Sequence, residues 1–283
     1  MTQVLACIDG SPQASAVCDC AAWATLRLGS PLSLLHVLDQ QRYPLSGDFS
    51  GIIGLGSREF LLEELAALDE KRNKLALEEG RMLLDAARQR VIDAGAPEPE
   101  LRQRHGNLVG SLRELESEIR LLVIGKQGED SSDDARLIGS NLENVIRTLH
   151  RPILVTPASF LPPTTAMFAF DASDTARKGI DMLAASPLLK GIPIHLVTVS
   201  NDTYEARAAL DSARDKLSAV GFEVRVAVLE GDVEAKLRAY QTEHAIELLV
   251  MGAYGHTRIR QFFVGSITTK MLNSVSTPLL LLR

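Results

Sequence analysis

The sequence contains few cysteines, and their positions exclude two kinds of covalent or metal stabilisation. Three cysteines, Cys7, Cys18 and Cys20, lie near the N-terminus, and an odd, sparse set is not a disulfide framework. Cys18 and Cys20 are two residues apart in a predicted helix, so they point in different directions. Further zinc ligands at suitable spacing are missing nearby. We therefore expect buried or half-buried thiols in a reducing cytosol.

Aromatic residues and excess positive charge are also scarce. Aromatic residues make up 5% of the chain, which disfavours a stacking surface for single-stranded nucleic acid. The net charge of −6 arises in residues 1–157, which carry 23 Asp/Glu and 17 Lys/Arg, whereas residues 158–283 carry 13 of each. Neither half has the basic surface that nucleic acid or an anionic membrane attracts.

Segments for export and membrane insertion are missing. The N-terminal residues lack a basic segment followed by a long apolar run, so they do not read as a signal peptide. No stretch approaches the about 20 apolar residues of a membrane span. We expect a cytoplasmic protein.

Several catalytic signatures are absent as well. The sequence has no Gly-x4-Gly-Lys-Ser/Thr phosphate loop and no Gly-x-Ser-x-Gly nucleophile elbow. The six histidines are scattered without metal-ligand spacing, and we expect no metal site. His36 and His195 fall in predicted strands and are expected to be core residues. A phosphate-accepting receiver domain is disfavoured, because Asp9 and Asp171 lack the acidic partners and the late lysine of that chemistry.

The chain does contain an internal repeat of a whole domain. GSNLENVIRTLHRPILV (139–155) matches GSITTKMLNSVSTPLLL (265–281), and LLVIGKQG (121–128) matches LLVMGAYG (248–255). The openings LACIDGS (5–11) and MFAFDAS (167–173) match too. The proline-rich segment PASFLPPTT (157–165) is a natural linker. We predict one domain over 1–157 and a second over 164–283.

The second unit alternates predicted strands and helices. Strands are predicted at 165–170, 192–199, 223–229, 248–252 and from Pro278, with helices at 174–184, 203–220, 232–244 and 266–274. This order predicts an α/β fold with two tandem, doubly wound, parallel five-stranded sheets. The first unit has an insertion of 35 residues after strand 31–37, which comprises a loop at 39–56 and a long helix from about 57 to 94. We interpret the loop as a surface loop, with a lid over a ligand as the alternative.

Ligands of open parallel sheets bind at the carboxyl ends of strands, where the strand order reverses. Two turns meet there in the second unit: the turn with Asp171, and the segment from Gly252 through Gly255 to Gly265-Ser266. Glycines let backbone N–H groups approach an anion, and the start of the last helix adds its own N–H groups and dipole. Three basic residues between the glycines, His256, Arg258 and Arg260, would add positive potential.

The pattern Gly-x2-Gly-x9-Gly-Ser before a final helix and strand resembles the ATP-binding subgroup of the universal stress proteins, whose fold is that of the adenine-nucleotide α-hydrolases. The resemblance covers both units and implies ATP, expected with Mg²⁺, in the second unit. By this resemblance Asp171 would hold the ribose, the backbone of Val199 would meet adenine, and Met251 and Gly252 would border the nucleoside. The implied phosphate contacts are Gly255, Gly265, Ser266 and the N–H of Ile267. Phe170, His256 and Arg258 complete the implied set.

The first unit departs from this pattern. Ten residues instead of nine separate Gly128 from Gly139, and four of them are acidic: Glu129, Asp130, Asp133 and Asp134. Carboxylates beside a triphosphate would repel it, unless magnesium intervened or the acids formed a solvated loop that points outward. We therefore expect weak nucleotide binding in the first unit, or none. The positions that match the second unit's site are Asp9, Val37, Gly125, Gly128, Gly139 and Ser140.

These features predict an ATP-binding regulatory protein of the stress response. The second-unit motif offers no obvious general base apart from His256, so the protein would be at most a slow ATPase. The alternative is an interaction module that acts by dimerising and binding partners without nucleotide. Family resemblance also implies that the final strands, 152–156 and 278–282, pair and form an internal pseudo-dimer. A homodimer and an unknown protein partner are further expectations.

Overall fold

The structure is a computed structural model that describes residues 2–38, 55–128, 140–252, 266–274 and 276–283. Most of the predicted 39–56 loop lies outside these residues. The long helix after it starts two residues earlier than predicted and spans Leu55–Asp93.

The described elements alternate between strands and helices in both halves. In the first half they are β1 (Gln3–Cys7), α1 (Ala14–Leu28), β2 (Leu32–Leu38), α2 (Leu55–Asp93), β3 (Glu100–His105), α3 (Leu108–Leu115), β4 (Ile119–Gly125), α4 (Ser140–Thr148) and β5 (Ile153–Thr156). In the second half they are β6 (Ala166–Ala169), α5 (Asp174–Ala185), β7 (Ile194–Val199), α6 (Tyr204–Ala219), β8 (Val224–Leu229), α7 (Val233–Glu243), β9 (Leu248–Gly252), α8 (Ser266–Ser274) and β10 (Leu279–Leu282). This order agrees with the sequence-based prediction.

The strands form one sheet in the order β3-β2-β1-β4-β5-β10-β9-β6-β7-β8. Within each half all pairs are parallel, and the order reverses between β1 and β4 and between β6 and β9. The two halves join through an antiparallel pair of β5 and β10, with Leu280 opposite Leu154. The prediction of an α/β fold with two doubly wound, five-stranded parallel units is therefore confirmed, and the pairing of the two final strands, also predicted, joins the units into one ten-stranded sheet.

Helices cover both faces of the sheet, which explains why the central strands are continuous apolar runs. Leu5, Val123, Phe168 and Val250 have no exposed surface. One core cluster packs α1, α2, α5 and α6 against one face, and the other packs α3, α4, α7 and α8 against the opposite face. Each cluster runs across both halves, so the antiparallel seam lies inside a continuous core.

The helices of the second half begin and end at residues suited to those positions. The side chains of Ser173, Thr203 and Asp232 cap α5, α6 and α7 by accepting hydrogen bonds from backbone N–H groups three residues further on. Gly221 follows α6 with φ of +92°, a left-handed conformation in which glycine has no Cβ penalty. The cap at Ser173 fixes the start of α5 directly after the turn that carries Asp171.

The linker packs onto the first half. The ring of Phe160 lies 5.7 Å from that of Trp23 on α1, and Phe160 is buried. Nearby, Nε of Arg27 donates a hydrogen bond of 2.9 Å to the carbonyl oxygen of Leu188 in the second half. The two halves therefore also touch along α1.

The cysteines and strand histidines lie in the core, as predicted. Cys18 and Cys20 are buried and Cys7 is partly buried; all three are free thiols. Burial is the main cause that raises the pKa of Cys7 and of Cys18 to about 12, with the charges of Asp9 and Asp19 respectively adding to it. Nδ1 of His36 lies 2.8 Å from the carbonyl oxygen of Ile8.

The described residues contain neither a group of three or more His, Cys, Asp or Glu arranged to hold a metal ion nor a helix long and apolar enough to cross a membrane.

Candidate functional site

At each reversal of strand order, equivalent strand ends and turns border a region at the carboxyl edge of the sheet, which we call the first and the second crevice. The backbone N–H of Ile8 donates to the carbonyl oxygen of Leu35 at 2.8 Å, and the N–H of Phe170 donates to that of Val197 at 2.8 Å. These matching bonds make Asp9 equivalent to Asp171 and Val37 equivalent to Val199. The repeat deduced from the sequence is thus reproduced in three dimensions at this end of the sheet.

In the second unit, the turn after β6 presents an exposed carboxylate. Phe170 is buried, whereas Asp171 is exposed. Oδ1 of Asp171 accepts a hydrogen bond of 3.0 Å from the N–H of Ser173, which holds the carboxylate at the strand end. Ala172 between them has φ of +56°, a conformation that costs a non-glycine residue about 1–2 kcal/mol. Such strain is often found at functional sites, and no local sequence pattern indicates it here.

The second turn of this crevice begins against the first. Met251 is buried and lies opposite Ala169 in the register of β9 and β6. A Cβ atom on Gly252 would lie 3.3 Å from Cγ2 of Thr175 and 3.4 Å from the N atom of Ala176. Because Gly252 has no side chain, β9 can end directly beside the first turn of α5. The sequence predicts that the turn with Asp171 and the glycine-rich segment lie side by side. The structure brings them together at Gly252, where that segment starts.

Val199 forms the other border of the crevice at the end of β7. It is half-buried and lies opposite Leu229 of β8. Its backbone therefore stands at the strand ends on the side of β6 away from β9.

The remainder of the glycine-rich segment is not described. Gly255, His256, Arg258 and Gly265 lie outside the described residues, as does Gly139 of the first unit. Ser266 and Ile267 form the start of α8, and Ser140 is the first residue of α4. The structure thus describes the residues that are predicted to border adenosine, and of those predicted for the phosphates it describes only the start of α8.

In the first crevice the two turns lie against each other. Oδ1 of Asp9 accepts hydrogen bonds from the N–H and the hydroxyl of Ser11, at 3.1 and 2.6 Å. A Cβ atom on Gly128 would lie 3.0 Å from Oδ2 of Asp9. The glycine-rich turn of this unit therefore rests directly on the aspartate that matches Asp171, and Asp9 is half-buried where Asp171 is exposed.

A glutamine side chain spans this first crevice. Oε1 of Gln13 accepts a hydrogen bond of 3.1 Å from the N–H of Gln127, and Nε2 of Gln13 donates one of 3.1 Å to Oε1 of Gln127. A Cβ atom on Gly125 would lie 3.1 Å from Oε1 of Gln13. Gln13 is 6% exposed. Its side chain and its two hydrogen bonds to Gln127 therefore fill the space between the turn after β1 and the turn after β4.

Sequence reasoning missed Gln13, although a signal was present. Gln13 follows Asp9 by four residues, and Thr175 follows Asp171 by four. The longer amide side chain stands in the first unit and the shorter hydroxyl side chain in the second. Aligning the two repeats at their aspartates would have revealed this difference, but its meaning depends on Gln127, which is 114 residues away.

Comparison with known proteins agrees with this architecture. The model of the universal stress protein family matches residues 1–157 and 200–283. The chain is 36% identical over 287 residues to universal stress protein Slr1230 of Synechocystis sp., covering 100% of both chains. The chain therefore belongs to the universal stress protein family.

Solved structures show the same fold over the full length. The crystal structure of a universal stress protein from Archaeoglobus fulgidus DSM 4304 superposes with a TM-score of 0.73 at 17% identity, covering 99% of this chain and 97% of that one. A protein from Pseudomonas aeruginosa PAO1, PA1789, described as functionally unknown, superposes with a TM-score of 0.65 at 14% identity, covering 100% and 92%. At these identities the likeness concerns the fold.

Proposed function

We propose that this protein is an ATP-binding regulator of the stress response and that the second unit holds the nucleotide, with Mg²⁺, at the carboxyl ends of β6 and β9. The contrast between the two crevices carries the proposal. In the second unit Asp171 is exposed, and the position that matches Gln13 has the shorter side chain of Thr175. In the first unit Gln13 and Gln127 bridge the corresponding space.

The described residues suit the nucleoside part of ATP. The carboxylate of Asp171 would accept hydrogen bonds from ribose hydroxyls, and the backbone at Val199 would meet the adenine edge. Phe170, Met251 and Gly252 would border the nucleoside. The phosphates would lie on the N–H groups at the start of α8, where Ser266 and Ile267 stand, because a helix start favours anions. Gly255, His256, Arg258 and Gly265 would complete the site.

ATP would act here as a regulatory ligand. A nucleotide that binds one conformation more tightly shifts the protein towards it, and a partner protein can respond to that shift. His256 is the candidate base that the motif supplies, so we expect any hydrolysis to be slow. We place this activity in the cytoplasm, with a protein partner that the site does not identify.

The proposal is tested by nucleotide that co-purifies with the protein and by thermal unfolding with and without Mg-ATP. Mass spectrometry of the purified chain should release ATP, and ATP at 100 times its Kd should add about 2.7 kcal/mol of stability. Asp171→Ala should abolish most of this gain, whereas the matched control Asp9→Ala should keep it. If wild-type protein carries no nucleotide and gains no stability, the alternative of an interaction module without nucleotide is favoured.

A further inference from the structure

A contact between the two halves holds the carboxyl end of α8, the helix whose start belongs to the proposed nucleotide site. Lys126 follows Gly125 in the glycine-rich turn of the first unit. Its Nζ donates a hydrogen bond of 3.0 Å to the carbonyl oxygen of Asn273, one residue before the end of α8 in the second unit. The helix whose start would hold the phosphates is therefore held at its other end by a residue of the first unit.

The environment of this contact suits a cation. The last carbonyl groups of a helix lack partners within the helix and carry partial negative charge. Among the described residues, Oδ1 of Asn273 is also buried without a hydrogen-bond partner, which adds an unmet acceptor beside the carbonyl oxygen that Lys126 contacts. Burial lowers the pKa of Lys126.

Lys126 is anchored to the first unit by its own backbone. Its N–H donates a hydrogen bond of 2.9 Å to the carbonyl oxygen of Thr156 at the end of β5. Thr156 is fully buried, and its hydroxyl donates to the carbonyl oxygen of Ile124 at 3.1 Å. The lysine therefore extends from a rigid strand end and not from a free loop.

The opposite half offers a matching arrangement. Nη1 of Arg283, just after β10, donates to the carbonyl oxygens of Ile146 and Leu149 at the end of α4, with the bond to Ile146 at 2.7 Å. Each of the two motif helices is thus capped at its carboxyl end by a cation from the other half. Only α8 belongs to the proposed nucleotide site, so the two caps serve as a natural test and control.

We infer that Lys126 is a positioning residue for the second unit's nucleotide site: by fixing the carboxyl end of α8 it orients the N–H groups at the start of that helix. This inference rests on the proposed function. A helix of nine residues is marginal on its own and spans only about 14 Å, so a hold at one end orients the other. The first unit thereby contributes to nucleotide binding without binding nucleotide itself.

The test compares Lys126→Met, Lys126→Arg and Arg283→Met in the full-length chain. Calorimetric titration with Mg-ATP should give a Kd about threefold to tenfold higher for Lys126→Met, in line with charge effects at helix ends. Lys126→Arg should recover most of the loss, and Arg283→Met should leave the Kd unchanged. An equal rise in both methionine variants would overturn the inference, since it would reveal a general loss of structure.

Amide hydrogen exchange without nucleotide separates this inference from the proposed function. Lys126→Met should speed exchange in residues 266–274 and leave residues 140–148 unchanged, whereas Arg283→Met should do the reverse. Unchanged exchange in α8 of Lys126→Met would overturn the role of Lys126. If the wild type fails to bind ATP, both the proposed function and the positioning role of Lys126 in nucleotide binding are wrong. The exchange measurement still shows whether Lys126 holds α8.

Discussion

Gln13 and Gln127 are joined by two hydrogen bonds of 3.1 Å, one from each residue to the other. They connect the turn after β1 to the turn after β4, which are the two borders of the first crevice. In the second unit the position of Gln13 belongs to Thr175. One fold thus contains a crevice that Gln13 bridges and a second crevice whose matching position has the shorter side chain of Thr175.

Gln13→Ala should destabilise the protein without creating a second nucleotide site. The change removes the acceptor of the half-buried N–H of Gln127 and the bond to its side chain, which should cost about 1–3 kcal/mol. Denaturant unfolding measures this loss, and titration with Mg-ATP should still give one site per chain because the acidic segment 129–134 repels phosphate. Two sites in the variant would mean that the glutamine alone keeps nucleotide out.

Gly252→Val should lower the affinity for ATP, because its side chain would press on Thr175 and the N atom of Ala176 at the start of α5. Displacing that turn moves Asp171 relative to β9. We expect a loss of about 1–3 kcal/mol in stability from overpacking and at least a tenfold rise in Kd for ATP.

The matched control for this variant is Gly125→Val in the first unit. A Cβ atom there meets Gln13 and the carbonyl oxygen of Gln127, both at 3.1 Å, so it should cost comparable stability. Because Gly125 adjoins Lys126, its Kd for ATP should rise no further than in Lys126→Met, and less than in Gly252→Val. A Kd that rises equally in both variants would argue against a site confined to the second unit.

The secondary structure could be predicted largely because local patterns determine it. β9 and its equivalent β4 are apolar runs that end at a glycine, and Ser173 and Gly221 mark helix limits by their own chemistry. The pairing of β5 with β10 was implied by the family resemblance and agrees with the rule that exposed apolar sheet edges need covering. These features depend on residues close together in the chain or on a simple rule about sheet edges.

The contacts that distinguish the two crevices could not be predicted in the same way. Gln13 meets Gln127 across 114 residues, and Lys126 meets Asn273 across 147. A polar side chain in a turn has many possible partners, and only the folded geometry selects one. The positive φ of Ala172 is likewise set by the turn between β6 and α5, and not by any preference of alanine.

His195 should make the second unit sensitive to acid. Its Nδ1 lies 3.0 Å from the hydroxyl of Tyr240. Burial is the main cause that lowers its pKa; the charges of His244 and Arg225 add to the shift and that of Glu223 opposes it. The unfolded chain takes up a proton as the pH falls through about 6.5, while the folded chain resists it. Stability should therefore fall with pH from about 6.5 down to the folded pKa, by at most about 1.4 kcal/mol per pH unit.

His195→Gln removes this titration, so its unfolding free energy should change less between pH 7 and pH 5 than that of the wild type. Tyr240→Phe is the control, because it removes the hydroxyl and keeps the histidine. Equal pH dependence in the wild type and His195→Gln would show that other groups cause the acid sensitivity.

The central claim is that one ATP binds per chain, with its phosphates at the start of α8. The most direct measurement is calorimetric titration of Mg-ATP into the wild type, Gly265→Val and Gly139→Val. The account predicts one site in the wild type, an unchanged site in Gly139→Val, and no binding by a still folded Gly265→Val. Wild-type affinity in Gly265→Val, or its loss in Gly139→Val instead, would contradict it.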